Sequence, residues 1–121
     1  MKPFRASIPI LRVAGALVVS VQSDLHDAVA VAFQEDLLET ISASGAGGLV
    51  IDISGLDTVD SYVARVLADT GRMAQLMGTE TVLVGMRPEV AATLVRMGFI
   101  VSGIKTALNV DEGLALLAKR R

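Results

Sequence analysis

The stretch GGLVIDISGLDTVDSY, residues 47–62, contains the change of pattern that decides the fold. Residues 49–53 form a short apolar run that follows two glycines, which is typical of a central strand in a parallel sheet. The next residues, VARVLADTGRMAQLMG (63–78), repeat apolar side chains at helical spacing. Ser61, preceded by Asp60, therefore lies where a strand is followed by a helix, and α/β proteins often place their chemistry at such junctions.

The rest of the chain alternates between strand-like and helix-like segments. The strand-like runs are residues 7–13, 16–21, 49–53, 81–84 and 104–107. The helical segments begin at Ser23 or Asp24, at Asp60 or Ser61, at Pro88 and at Asn109, and they end near Ser44, Gly78, Gly98 and Arg121. This order predicts one α/β domain, residues 1–121. Its sheet is mixed and mostly parallel, with an N-terminal antiparallel hairpin strand, and about four helices cover it.

Composition and charge exclude several classes of function. The chain has no cysteine, one histidine (His26), and 11 basic against 13 acidic residues, for a net charge of −2. This charge argues against nucleic acid as a partner, because phosphate binding needs a basic surface. No apolar run reaches the roughly 18 residues of a membrane helix, and the N-terminus lacks the apolar block of a secretion signal. We therefore expect a cytoplasmic domain with no cofactor, no metal, no nucleic acid and no membrane partner.

Several roles are open for the acidic, serine-containing segment on its residues alone. Serine and aspartate commonly cap helix N-termini, so capping is the first interpretation of Asp60 and Ser61. A nucleophilic serine would need an adjacent base, and His26 lies in the predicted first helix, far away in sequence. Asp52, Asp57 and Asp60 could form a site for a hard cation, although such acids are more often turn and cap residues. A helix start can also receive an anion through its backbone N–H groups, so a capping role does not exclude a further role for Ser61.

A resemblance to a known family adds to this interpretation. The sequence LVIDISGLDTVDSYVARVL (49–67) resembles the signature of STAS domains, the fold of bacterial anti-sigma-factor antagonists. The segments IPILR (8–12), FQEDLL (33–38) and VLVGMRPEVAATLVRMG (82–98) are similar to the RsbS-type subgroup, the single-domain scaffolds of the stressosome. Simple antagonists of the family often carry Asp-Ser-Ser-Gly where this chain has DSYV (60–63), which also favours the RsbS-type subgroup.

The resemblance implies a role for each polar residue of the central stretch. Ser61 corresponds to the phosphoacceptor, Asp52 to the acid at the end of the strand, and Ser54-Gly55 to the supporting loop. RsbR-type paralogues carry a second acceptor threonine near the end of their second strand. The matching stretch here is VSVQ (19–22), so Ser20 is the weaker candidate. The residues expected to bind a partner around the acceptor are Asp57, Thr58, Asp60, Tyr62 and Arg65.

The function implied by the resemblance is that of a non-enzymatic scaffold. Such a scaffold assembles with RsbR-type STAS paralogues, sequesters an RsbT-type serine kinase, and releases it when Ser61 is phosphorylated. A PP2C-type phosphatase reverses the modification. The apolar content of 52% is consistent with a homo- or hetero-oligomer in which partner chains cover part of the surface. Two alternatives remain open: a simple anti-anti-sigma factor that binds an anti-sigma kinase directly, and a STAS domain that binds a small ligand.

Overall fold

The computed structural model describes residues 8–22, 27–96 and 104–119 of the chain. The strands in these ranges are β1 (Ile10–Val13), β2 (Ala16–Gln22), β3 (Gly48–Gly55), β4 (Glu80–Val84) and β5 (Lys105–Ala107). The helices are α1 (Asp27–Ser44), α2 (Ser61–Leu76), α3 (Pro88–Arg96) and α4 (Val110–Ala118). The element order is the predicted one. The predicted helix start at Ser23 or Asp24, His26, and the predicted helix end at Gly98 lie outside the described residues.

The described strands form one mixed sheet in the order β1-β2-β3-β4-β5. β1 pairs with β2 in antiparallel register, and the other neighbouring strands pair in parallel. The predicted fold class is therefore confirmed. The hairpin turns at Ala14-Gly15, whose φ angles are 52° and 82°. Two positive φ angles give a two-residue turn whose twist matches that of the strands it joins.

Two apolar cores lie on opposite faces of the sheet. Side chains alternate between the faces along β3, so Leu49, Ile51 and Ile53 belong to one core and Val50 to the other. The larger core packs α1, α2 and α3 against the sheet, and we call this side the three-helix face. The other side packs α4 against Val50, Val82 and Val84, and we call it the α4 face. The middle strands are covered on both faces, as their apolar sequences predicted.

One sequence-based expectation about the core is wrong. The helical spacing of Val63, Val66, Leu67 and Thr70 continues through Met73 and Met77 and predicts one buried stripe on α2, but both methionines are exposed. Gly71 and Ala74 take the buried positions instead. A helix advances 3.6 residues per turn, so position 74 lies almost directly in line with Leu67 and Thr70. Met86 packs against the larger core as expected, and Met97 lies outside the described residues.

Candidate functional site

The candidate site lies at the edge of the sheet where the parallel strands end. In a parallel sheet the carboxyl ends of neighbouring strands meet at one edge, and loops that leave them there can contact each other. Residues 56–60 connect β3 to α2, and residues 85–87 connect β4 to α3. The first loop and the start of α2 carry Ser61 and the residues that the sequence predicted to bind a partner, whereas the second loop carries none of the predicted residues.

Asp60 caps the helix that carries Ser61. The Asp60 backbone is extended, and its Oδ1 accepts a hydrogen bond of 2.8 Å from the backbone N–H of Val63. The backbone N–H of Ala64 donates to the Asp60 carbonyl at 3.0 Å, which closes the first helical turn. Ser61 is thus the first helical residue, and its side chain is exposed. Because Asp60 does the capping, that role does not occupy the Ser61 hydroxyl.

Two buried apolar residues anchor the loop that leads to Ser61. Leu56 and Val59 point into the larger core, whereas Asp57, Thr58 and Asp60 are exposed. The backbone N–H of Leu56 also donates to the carbonyl of Ile53 at 3.0 Å, which turns the chain directly after β3. The apolar anchors hold the polar residues between and after them at the surface. We call residues 56–61 the acceptor segment.

Tyr62 and Arg65 extend this surface along the first turn of α2. Tyr62 keeps 37% of its surface exposed although it is aromatic. Arg65 is exposed and lies four residues after Ser61, so both side chains occupy the same face of the helix. The predicted partner-binding residues and Ser61 therefore lie along one continuous stretch of surface.

Asp52 and Ser54 belong to a different part of the edge. Asp52 is half-buried, and its Oδ1 accepts a hydrogen bond of 2.9 Å from the backbone N–H of Ser54. Alternation along β3 places both residues on the α4 face, with Val50. There they line a cleft with Gly85 and with residues 108–111 at the start of α4. Ser61 does not line this cleft, although all three residues come from one sequence motif.

Ser20, the weaker candidate, lies beside Asp52 in the sheet. The two residues are paired across β2 and β3, and the Ser20 side chain is half-buried. Its Oγ accepts a hydrogen bond of 3.2 Å from Nε2 of Gln22. Ser20 is therefore less accessible than Ser61 and is already engaged with a neighbouring side chain.

Arg87 is a residue of this site that the sequence did not single out. Its Nε donates to the carbonyl of Ser54 at 3.0 Å, and its Nη1 donates to Oδ1 of Asp57 at 3.0 Å. It therefore joins the β4–α3 loop to the acceptor segment. A sequence signal existed, because Arg87 directly precedes Pro88 at the carboxyl end of a predicted parallel strand. Its partners, however, lie 30 and 33 residues away.

The structure also bears on a metal site and on a membrane-spanning helix. Among the described residues, no three histidine, aspartate or glutamate side chains lie close enough together to hold a metal ion. In the same ranges, no helix is both long enough and apolar enough to cross a membrane. Independently of these findings, Ser61 presents an exposed side chain at a helix N-terminus, where backbone N–H groups can receive an anion.

Comparison with known proteins gives close structural relatives. A sequence profile described as "STAS domain" matches residues 7–113. A serine-to-glutamate variant of RsbS from Moorella thermoacetica is 42% identical, with a TM-score of 0.85 over 94% of this chain and 97% of that chain. A chain from a structure of the stressosome, which is described as a signal integration and transduction hub, is 46% identical. Its TM-score is 0.83 over 93% of this chain and 97% of that chain.

A longer relative matches over part of its length. The RsbT co-antagonist protein RsbRD of Bacillus subtilis is 35% identical over 108 residues. The match includes 89% of this chain and 38% of that protein, so the chain spans less than two fifths of this relative. Because the profile matches nearly all of the sequence and the folds agree, the chain belongs to the STAS-domain family, within which it is similar to RsbS and RsbR proteins.

Proposed function

We propose that this chain is a phosphorylatable STAS scaffold of the stressosome type. In this proposal it holds an RsbT-type serine kinase and releases that kinase when Ser61 is phosphorylated. The observation that carries the proposal is the exposed Ser61 side chain at the first position of α2, directly after the capping Asp60. The identities of 42% and 46% to RsbS and to a stressosome chain support the choice of this branch of the family.

The proposed mechanism is a change of charge on a partner-binding surface. A neutral serine lets a partner pack closely against the start of α2, whereas a phosphoryl group adds about −1.5 to −2 charges there. The new charge adjoins Asp60 and lies four residues from Asp57, both of which are exposed. The helix N-terminus can accept an anion locally, so the domain stays folded. A repulsive or clashing group in an interface can cost several kcal/mol, which corresponds to roughly a hundred-fold loss of affinity.

The proposed partners follow from the same branch of the family. We propose assembly with RsbR-type paralogues, capture of an RsbT-type kinase, and dephosphorylation by a PP2C-type phosphatase, all in the cytoplasm. The chain has no enzymatic activity of its own in this proposal. Large apolar side chains on the sheet edge, Leu11 and Val13, are exposed, which is consistent with contacts to other chains.

The test combines phosphate mapping with kinase binding. The chain is incubated with its cognate RsbT-type kinase and ATP, the phosphate is mapped by mass spectrometry, and kinase affinity is measured before and after. We expect phosphate on Ser61 and a large loss of affinity. Ser61→Ala should bind the kinase without releasing it. Ser61→Asp should weaken binding less than phosphorylation does, because it adds one charge and lacks the phosphate geometry.

Ser20→Ala is the matched control and should behave as the wild type. Phosphate on Ser20, Ser54 or Thr58 with Ser61 unmodified would contradict the assignment. Equal kinase affinity for the wild type, the phosphorylated wild type, Ser61→Ala and Ser61→Asp, all folded, would contradict it as well. Turnover of ATP by the isolated chain, abolished in Ser61→Ala, would contradict the scaffold proposal.

A further inference from the structure

Arg87 ties two loops together at the carboxyl edge of the sheet. Its Nε donates to the carbonyl of Ser54, the next-to-last residue of β3, at 3.0 Å. Its Nη1 donates to Oδ1 of Asp57, inside the acceptor segment, at 3.0 Å. Because the guanidinium group is a rigid, planar fork of donors, these two bonds fix the carbonyl and the carboxylate relative to each other. A residue from the β4–α3 loop therefore holds the acceptor segment where it leaves the sheet.

The opposite end of the acceptor segment is held as well. Asp60 accepts the hydrogen bond from Val63 at 2.8 Å, and the Leu56 and Val59 side chains are buried between the two ends. Apolar packing and the helix cap hold the backbone of the segment. The exposed carboxylate of Asp57 is held by its hydrogen bond from Arg87. Arg87 thus adds a third point of attachment, at Asp57, to a segment that is already attached at its buried residues and at the helix cap.

Arg87 is itself placed by its neighbours. Gly85, two residues earlier, has a φ of 75° and lies against Asp52 and Ser54 at the end of β3. Pro88, the next residue, opens α3, and Val90 of that helix is buried in the larger core. Proline fixes its own φ and restricts the residue before it. The Arg87 backbone thus has little conformational freedom. Its side chain can therefore hold the acceptor segment in one position.

We propose that Arg87 is a positioning residue for the phosphorylation of Ser61. It pre-organises the acceptor segment so that the kinase meets Asp57, Asp60 and Ser61 in one fixed arrangement. This inference rests on the proposed function. An exposed ion pair contributes little to folding, and the Arg87 and Asp57 side chains retain 47% and 65% of their exposure. The effect of removing Arg87 should therefore fall on recognition by the kinase and not on stability, because ordering a loose loop on binding costs affinity.

The first arm of the test is enzyme kinetics with the cognate RsbT-type kinase. We expect Arg87→Ala to raise KM for phosphorylation of Ser61 about tenfold with kcat within about twofold, since a loss of uniform binding appears in KM. Arg87→Lys should recover part of the loss, because an ammonium group can reach one acceptor but does not reproduce the fork. Arg72→Ala is the matched control: it removes a different exposed ion pair, with Asp69 at 2.9 Å within α2, and should leave KM unchanged.

The second arm separates positioning from direct contact with the kinase. If Arg87 acts through Asp57, the double variant Arg87→Ala/Asp57→Asn should raise KM no more than the worse single variant. If the fold-increases in KM of the two single variants multiply in the double variant, the two side chains act independently. That result would overturn the inference.

The third arm needs no kinase. Amide hydrogen exchange of residues 56–60 should accelerate at least about fivefold in Arg87→Ala, while exchange in the centre of β3 stays the same. Wild-type protein that is not phosphorylated on Ser61 would refute the proposed function, and the exchange arm would still decide whether Arg87 orders the segment. Normal phosphorylation of Ser61 with unchanged KM and unchanged exchange in Arg87→Ala would refute the inference alone.

Discussion

At the level of single residues, the main feature of this protein is that Asp60 caps α2 while the neighbouring Ser61 side chain stays exposed. Both residue types are good helix caps, and the sequence left open which of them caps the N-terminus of α2. The structure assigns the cap to Asp60, whose Oδ1 lies 2.8 Å from the Val63 nitrogen. The serine beside it is thereby exposed at the helix start and is not required for capping. Under the proposed function, this arrangement would let Ser61 be phosphorylated without loss of the helix cap.

Paired substitutions at these two positions measure the separation. Asp60→Ala should lower the free energy of unfolding by about 1 kcal/mol, because the first turn of α2 loses its cap. Ser61→Ala should change it by less than about 0.5 kcal/mol, as expected for an exposed position outside the cap. Urea denaturation followed by circular dichroism gives both values. A larger cost for Ser61→Ala than for Asp60→Ala would contradict the assignment of the cap.

Among the elements, the close approach of the β3 and β4 ends shapes the site most. Gly85 follows β4 with a φ of 75°. A Cβ atom there would lie 2.7 Å from Oδ1 of Asp52 and 2.9 Å from the Cβ of Ser54. The last residues of β3 therefore occupy the space that a side chain at position 85 would need. Arg87 reaches Ser54 and Asp57 from the loop that this approach brings near.

Gly85→Ala should therefore be more costly than substitution of a glycine in open space. Gly78→Ala is the matched control, because Gly78 also has a positive φ, 85°, and a Cβ there meets no atom within 4 Å. Both variants carry the cost of a left-handed alanine, about 1–2 kcal/mol. Gly85→Ala should cost about 1–3 kcal/mol more, as is typical of overpacking. Urea denaturation measures the difference, and equal costs would mean that the end of β3 shifts to make room without strain.

The two faces of the whole molecule are unequal. Three helices pack on one face and form the larger core, whereas α4 covers the other face with half-buried side chains such as Leu114 and Leu117. Leu37, on the three-helix face, has no exposed surface. Stability should therefore depend mainly on the three-helix face, while the α4 face contributes less per side chain.

Two leucine truncations test this difference. Leu37→Ala should lower the free energy of unfolding by about 2–5 kcal/mol, because the cavity it leaves is closed on all sides. Leu117→Ala should cost less than about 2 kcal/mol, since a half-buried side chain gains less from burial and leaves an open depression. Against a typical stability of about 5–15 kcal/mol, the first variant should show a clearly lower melting temperature. Similar costs would mean that the α4 face is as tightly packed as the other.

Short-range pattern was sufficient for much of this molecule. The element order, the hairpin at Ala14-Gly15 and the junction at Ser61 were all predicted, because each depends on neighbouring residues. The cap of α4 is a further example: Asn109, where the sequence predicted this helix to begin, accepts a hydrogen bond of 2.9 Å at Oδ1 from the backbone N–H of Glu112. Hydrophobic periodicity, turn residues and caps act over a few residues, so they can be recognised without knowing which strands are adjacent.

The contacts that shape the candidate site could be found only in the folded chain. Arg87 reaches partners 30 and 33 residues away, and Gly85 must be small because a different strand ends beside it. Asp52 and Ser61 share a motif, yet Asp52 lines a cleft with the start of α4 and Ser61 does not. Such relations depend on strand order and on the distance between loops. No local pattern contains that information, because packing of the whole sheet sets both.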